Sequence, residues 1–273
     1  MKDLLTTHLK AIQKIDEMCL LDDAFMRECL QDNIPAVQKI VQIVLGDDSI
    51  RIQDVKTQYD VVNLGGRSLK IDVVATDQAD SSVFNIEIQR DDGGAVPERG
   101  RYHASMLDAT CVKKGMERFT DLPDNSVIFI TEHDIYKSER PLYTVSRTIK
   151  ELDQRPYNDR SKIYYVNTAY GDTRTDLGKL AHDFRCKNPD DMYIEELRSS
   201  VDYFKKTREG RAKMGTVFED FAREMAIITE INTRREFSQE EEKIKAVIMK
   251  KYQLSSQEAD EFMKEATEQL ASA

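Results

Sequence analysis

Leu69-Lys70-Ile71-Asp72-Val73-Val74 and Phe84-Asn85-Ile86-Glu87-Ile88-Gln89-Arg90 decide how the chain is read. Side chains alternate faces along a strand, so Leu69, Ile71, Val73 and Ala75 point one way and Asp72 the other. In the second segment Phe84, Ile86 and Ile88 share one face, while Asn85, Glu87 and Gln89 line the opposite one. If the two strands are neighbours, Asp72 and Glu87 converge on one polar surface, with Gln89 one pleat along. Two carboxylates and an amide on a rigid sheet suit a hard, oxygen-preferring cation such as Mg²⁺. The same alternation also describes the solvated face of an amphipathic hairpin, so the order of the surrounding elements has to choose between them.

That order starts with an amphipathic helix over Leu4–Leu20, carrying Leu5, Leu9, Ile12 and Ile15 at helical spacing. Asp22 and Asp23 precede a second helix over Ala24–Leu30, as acidic residues do at a helix start. Pro35 opens a third, which Gly46 closes after Leu45. Three strands follow, near Ile50–Val62, Leu69–Thr76 and Val83–Arg90, turned by Gly65-Gly66 and by the polar stretch Asp77–Ser82. A helix from Pro97 to Arg118 leads to the apolar run Ser126–Thr131, which has no polar face and reads as a central strand covered on both sides. Ile163–Val166 is one further strand. From Leu177 onward the pattern is helical, with capping-box spacing at Ser238/Glu241 and Ser255/Glu258. The sum is an α/β layer with a mixed sheet, residues 1–190, followed by a helical C-terminal region, residues 191–273.

The composition narrows the class. The chain has 273 residues, 40% hydrophobic and 33% charged, enough to bury a sizeable core. No apolar run approaches the ~18 residues that span a bilayer, and Met1–Lys14 lacks the apolar centre of a signal peptide. Cys19, Cys29, Cys111 and Cys186 are scattered without a CxxC pair, which points to reduced thiols, a cytoplasmic setting and no zinc site. The net charge of −10 argues against indiscriminate nucleic-acid binding, since phosphate contacts need local Lys and Arg. Two basic clusters could still meet phosphate or simply face water: Arg99, Arg101, Lys113, Lys114 and Arg118, and Arg198, Lys205, Lys206, Arg208, Arg211 and Lys213.

At this point the chain resembles the PD-(D/E)XK nuclease family transposases, the recombination-promoting nuclease group. The likeness runs through Leu21-Asp22-Asp23-Ala24-Phe25-Met26-Arg27, Gly66-Arg67-Ser68 leading into the Asp72 strand, and Phe84–Arg90. It continues in Arg99-Gly100-Arg101-Tyr102-His103, Val127–Glu132 and His182-Asp183-Phe184-Arg185-Cys186, before Asp190-Asp191-Met192-Tyr193. It implies a restriction-endonuclease-like αβββαβ core and a metal-dependent DNA endonuclease linked to mobile elements or recombination. By resemblance, Asp72 and Glu87 ligate Mg²⁺ or Mn²⁺ with the backbone carbonyl of Ile88, and Gln89 stands where the wider superfamily carries Lys. A Lys there orients water and stabilises charge, whereas an amide only hydrogen-bonds. Asp22, Asp23 and Glu28 are candidates for one more acid from the first helix, and Arg99, Arg101 and Tyr102 for contacts to DNA phosphates. His103 and His182 read as structural. DNA is the expected partner, with a homodimer as an option and no membrane. The other expectation is a weak or inactive nuclease-fold protein that binds nucleic acid or a protein through its helical appendage, motivated by Gln89 and the acidic charge.

Overall fold

The computed structural model describes residues 14–61, 68–90, 92–112 and 116–270. The chain divides into two compact units, Met1–Arg211 and Ala212–Ala273.

In the first unit, residues 14–17 are helical, and the earlier part of the Leu4–Leu20 prediction lies outside the described residues. Helix α1 (Asp23–Leu30) buries Ala24, Phe25, Met26, Cys29 and Leu30. Helix α2 (Ile34–Leu45) starts where Asn33 accepts a hydrogen bond from the Ala36 N–H, carries Pro35 in its first turn, and stops at Gly46. Gly46 adopts φ +66, which costs glycine no Cβ clash.

Strands β1 (Ile52–Val61), β2 (Leu69–Asp77) and β3 (Val83–Gln89) then form an antiparallel meander. Helix α3 (Pro97–Cys111) makes the crossover that parallel pairing requires, so that β4 (Asn125–Thr131) runs parallel to β3. The chain continues through β5 (Leu142–Val145), the two-residue pair β6 (Thr148–Ile149) and β7 (Arg155–Pro156), and β8 (Ser161–Asn167). The main sheet has six strands in the order β1-β2-β3-β4-β8-β5, with β8 parallel to β4 and β5 antiparallel at the edge. Every residue of β4 is buried, as expected for a strand covered on both faces. Register puts Asn85 beside Val127 and Glu87 beside Phe129. That face is closed by α3, whose Ala104, Met106 and Leu107 join Val127, Phe129 and Tyr165 in one apolar cluster.

Two sequence expectations need correction here. Helix α3 ends at Cys111 rather than Arg118, because Thr110, Cys111 and Val112 are poor helix formers and Val112 is already extended. β5 was hidden in a polar connection, since four half-exposed residues carry no periodic signal. The first unit extends to Arg211, within the span from Asp190 to Lys213 where the helical appendage is expected to begin. Two helices, α4 (Asp176–Arg185) and α5 (Glu195–Lys206), carry the chain there. What holds α5 is Lys205, a buried ammonium that donates to the carbonyls of Asp16 (3.0 Å), Met18 (2.5 Å) and Lys187. Phe204 adds an edge-on contact to Phe25 at 6.4 Å, and Ser200 Oγ donates to the Cys29 carbonyl.

The second unit contains most of α6 (Arg208–Glu236), then α7 (Glu241–Tyr252) and α8 (Ser256–Leu270). Ile227, Ile228, Ile231, Ile244, Ile248, Leu254, Ala259 and Ala266 form its core. The capping box at Ser255 is made in full: its N–H donates to Glu258 Oε2 at 2.7 Å, and the Glu258 N–H donates to Ser255 Oγ at 3.2 Å. Ser238 makes none, because it sits left-handed at φ +55 just beyond α6 and α7 begins after Glu240. Among the described residues, no helix is long and apolar enough to cross a membrane.

Lys205→Met keeps the volume of the stem but leaves three carbonyls without their donor. The expected loss is about 2–4 kcal/mol of unfolding free energy, read by urea denaturation. An unchanged midpoint would mean that these carbonyls are satisfied another way.

Candidate active site

Strands β2 and β3 are paired from Thr76/Val83 to Val73/Ile86. One step further the opposed residues are Asp72 and Glu87, and there side chains replace the backbone ladder. The Asp72 N–H donates to Glu87 Oε1 at 3.2 Å, and the Ile88 N–H donates to Asp72 Oδ2 at 3.0 Å. Each carboxylate therefore satisfies a backbone donor of the other's strand as the two strands part. The exchange needs acceptors on both side chains, one on each strand, at this register and no other.

The two acids differ in their surroundings. Glu87 is completely buried, while Asp72 is half-buried. The solvated-face reading of this surface thus fails: Asn85 and Glu87 lie under α3. Burial pushes the Asp72 pKa up to about 6; the Ile88 N–H opposes this and the charge of Asp23 adds to it. Glu87 is raised well above the carboxylate range, first by burial and then by the charge of Asp72, with Arg99 pulling the other way. Two like charges in one low-dielectric site favour either a shared proton or a cation.

Helix α3 supplies the rest of the shell. Arg99 and His103 are four residues apart and so share a helix face. Arg99 Nη2 reaches Glu87 Oε2 at 3.2 Å, with the guanidinium side chain 36% exposed. Its Nε donates to His103 Nε2 at 3.3 Å. A neutral imidazole carries one ring proton, so with Nε2 accepting, Nδ1 holds it. Nδ1 lies 3.5 Å from Glu87 Oε1 and 2.7 Å from the Asn85 amide. An Asn85 amide that presents its oxygen to this N–H also satisfies the buried Oδ1 otherwise left without a partner. Asn85 is expected on this face and His103 as a structural residue; what the sequence does not announce is their bond to each other and the pairing of Arg99 with Glu87, although the i, i+4 spacing of Arg99 and His103 is a signal of it.

The other sequence candidates are distributed as follows. Gln89 shares the face of Glu87, yet hydrogen-bonds neither acid. Its carboxamide rests on Gly94, where an added Cβ would stand 1.8 Å from Gln89 Oε1. Asp22 occupies the cap position of α1 without capping it. Its carboxylate accepts from the Cys19 N–H at 2.9 Å and from Arg90 at 2.5 Å, and Arg90 also grips Glu132 at 2.9 Å. Asp23 pairs with Arg27 at 2.9 Å, and both charges are felt at Asp72. Of the three acids considered on α1, Asp23 is the one with that influence; Glu28 is half-buried a turn further on. Arg101 is exposed, whereas Tyr102 is half-buried and packs against the apolar cluster under α3. In the second basic cluster Arg198, Lys206 and Arg211 pair with Glu195, Asp190 and Asp16, and Lys205 is buried. Lys113 and Lys114 lie outside the described residues.

Whether a cation suits this site rests on its donors. Among the described residues no three His, Cys, Asp or Glu side chains converge on one point. Mg²⁺ is held by one or two carboxylates and otherwise by water or substrate oxygens, which two acids satisfy. The Ile88 carbonyl leaves the strand on the same side as its N–H, toward Asp72; the next carbonyl, of Gln89, accepts from Glu132 N–H on the β4 side. An all-oxygen set fits a hard cation and excludes a thiolate-type site. All four cysteines are free thiols. No protein-family description, characterised protein or solved structure matches the chain.

Because the folded chain binds the Asp72 proton more tightly than the unfolded chain does, stability is highest below pH 4 for this group and is lost as pH rises through about 6. Asp72→Asn keeps an acceptor for the Ile88 N–H and cannot ionise. In metal-free buffer it is expected to be more stable than the parent at pH 8, by up to about 3 kcal/mol, with the difference closing toward pH 4. Melting curves across that range check it; equal curves at pH 8 would contradict the buried-charge assignment.

Proposed function

We propose that the chain is a divalent-cation-dependent DNA endonuclease built on a restriction-endonuclease-like αβββαβ core. The observation that carries this reading is the reciprocal exchange between Asp72 and Glu87 at the parting of β2 and β3. The element order α2, β1–β3, α3, β4 supports the core assignment. Bound Mg²⁺ or Mn²⁺ supplies Lewis-acid activation of water and neutralises charge that builds on a phosphodiester. Asp72, Glu87 and the Ile88 carbonyl are the residues that would hold it.

The chain's own groups do the rest. His103, bonded through Nδ1 to Asn85 and through Nε2 to Arg99, fixes the Arg99 guanidinium that pairs with Glu87. Arg99, on the solvent side of Glu87, has a guanidinium with donors to spare for a phosphate oxygen. With Gln89 on Gly94, the attacking water is oriented by the carboxylates and not by the amide.

A second reading has its own observation. Arg99 already neutralises Glu87, and Gln89 stands off the pair, as in a nuclease fold kept for binding DNA or a protein. Supercoiled plasmid separates the two. Nicking is expected with Mg²⁺ or Mn²⁺, none in EDTA, and a loss of at least about a hundredfold in Asp72→Ala and Glu87→Ala. Cleavage that persists in EDTA would overturn the metal-dependent reading, and binding without cleavage would favour the second.

A further inference from the structure

β3, β4 and β8 run parallel and end in register, with Gln89 beside Thr131 and Thr131 beside Asn167. Immediately beyond β8, and two strands across from Glu87, a cavity of about 380 Å³ opens between residues 168–173 and α4. Two strand spacings amount to roughly 10 Å. Crevices at the carboxyl ends of parallel strands are where ligands of open α/β sheets bind.

The lining is cationic and rich in donors. Arg185 points one guanidinium nitrogen, Nη1, at the Glu132 carbonyl (2.8 Å) and Thr168 Oγ1 (3.4 Å), both uncharged oxygens. This sets it apart from Arg90, Arg174, Arg198 and Arg211, each tied to a carboxylate. Nε and Nη2 of Arg185 make no hydrogen bond among the described residues, which leaves a planar fork for a tetrahedral anion. His182 Nδ1 sits 3.0 Å from the buried Asp183 carboxylate. That carboxylate also takes the N–H groups of Tyr193 and Ile194. Nδ1–H is thereby occupied, and Nε2 is the ring atom left for a ligand, accepting from a phosphate O–H in the neutral ring and donating to a phosphate oxygen in the protonated one. Thr173 adds a hydroxyl and Gly171 an open backbone, around which no atom lies within 4 Å of an added Cβ. The Cys186 thiol donates to the Asn188 carbonyl and is kept protonated by burial, so it brings no negative charge. The nearby Glu132 carboxylate is engaged by Arg90.

We propose that this cavity is a phosphate-binding subsite, centred on Arg185 and His182. The phosphate belongs either to a free nucleotide or to the backbone of a nucleic acid seated at Asp72 and Glu87; only the second source rests on the nuclease reading. Across the sheet the cavity lies two strand spacings from the strand of Glu87 and three from that of Asp72, roughly 10 and 14 Å.

The test is calorimetric titration of the full chain in EDTA with inorganic phosphate, a deoxynucleoside monophosphate and a short DNA oligonucleotide. Saturable phosphate binding is expected, weakened about tenfold or more in Arg185→Gln and severalfold in His182→Gln. The second variant leaves the Arg185 tie to Glu132 intact and so guards against misfolding. Inorganic phosphate in EDTA probes the subsite without metal or nucleic acid, which keeps this result independent of nuclease activity. Competition by the oligonucleotide identifies a backbone phosphate, and competition by the mononucleotide alone a free nucleotide; both support the subsite. Absence of saturable binding to all three probes, or equal binding in both variants, would overturn it.

Discussion

The fork between β2 and β3 is the constraint around which the sheet unit is organised. At that point two strands stop pairing by backbone and are held by Asp72 and Glu87, each accepting a donor from the other's strand. The arrangement spares two backbone N–H groups from burial without a partner. It also puts two acids side by side, Glu87 buried beneath α3 and Asp72 half-buried at its margin. The cost of that choice appears in both acids, whose ionised forms are disfavoured by burial. Arg99 on α3 and the Asp72 N–H reduce that cost at Glu87. Close approach of α3 to the sheet needs Gly100, where an added Cβ would meet Ile163 at 3.0 Å and Phe129 at 3.3 Å.

Much of this was legible in alternation alone. Asp72 and Glu87 on one surface follow from period-two side chains, and the burial of β4 follows from its unbroken apolar run. Their meeting depends on register, which alternation fixes only to within two residues. The burial of Glu87 was not legible, because an acid on an alternating strand reads equally as a solvated residue until the covering helix is placed. The same holds for Lys205, a basic residue in a basic run that turns inward to three carbonyls. Ser238 and Ser255 have the same spacing to a downstream Glu, yet only Ser255 caps; the backbone at Ser238 is already committed to ending α6. Gln89 was placed on the right face but not on its seat over Gly94, which is a tertiary contact with no local signature.

The DNA partner we propose has to be reconciled with an acidic chain. With a net charge of −10, long-range attraction to DNA is weak. Many described Arg and Lys side chains are tied to carboxylates, so any phosphate contact must be local. The end of the sheet where β3, β4 and β8 terminate offers two such places, the exposed part of Arg99 and the fork of Arg185. Between them, Arg90 ties Asp22 on α1 to Glu132 after β4 and holds the N-terminus of α1 against this end. That tie brings the charges of Asp23 and Arg27 to bear on Asp72.

The account rests on the claim that the fork is a cation site. Electron paramagnetic titration of the intact protein with Mn²⁺ at pH 7.5, without nucleic acid, addresses it directly. One saturable Mn²⁺ per chain is expected, lost in Asp72→Asn and in Glu87→Gln. No bound Mn²⁺ in the parent, or binding that survives both substitutions, would contradict it.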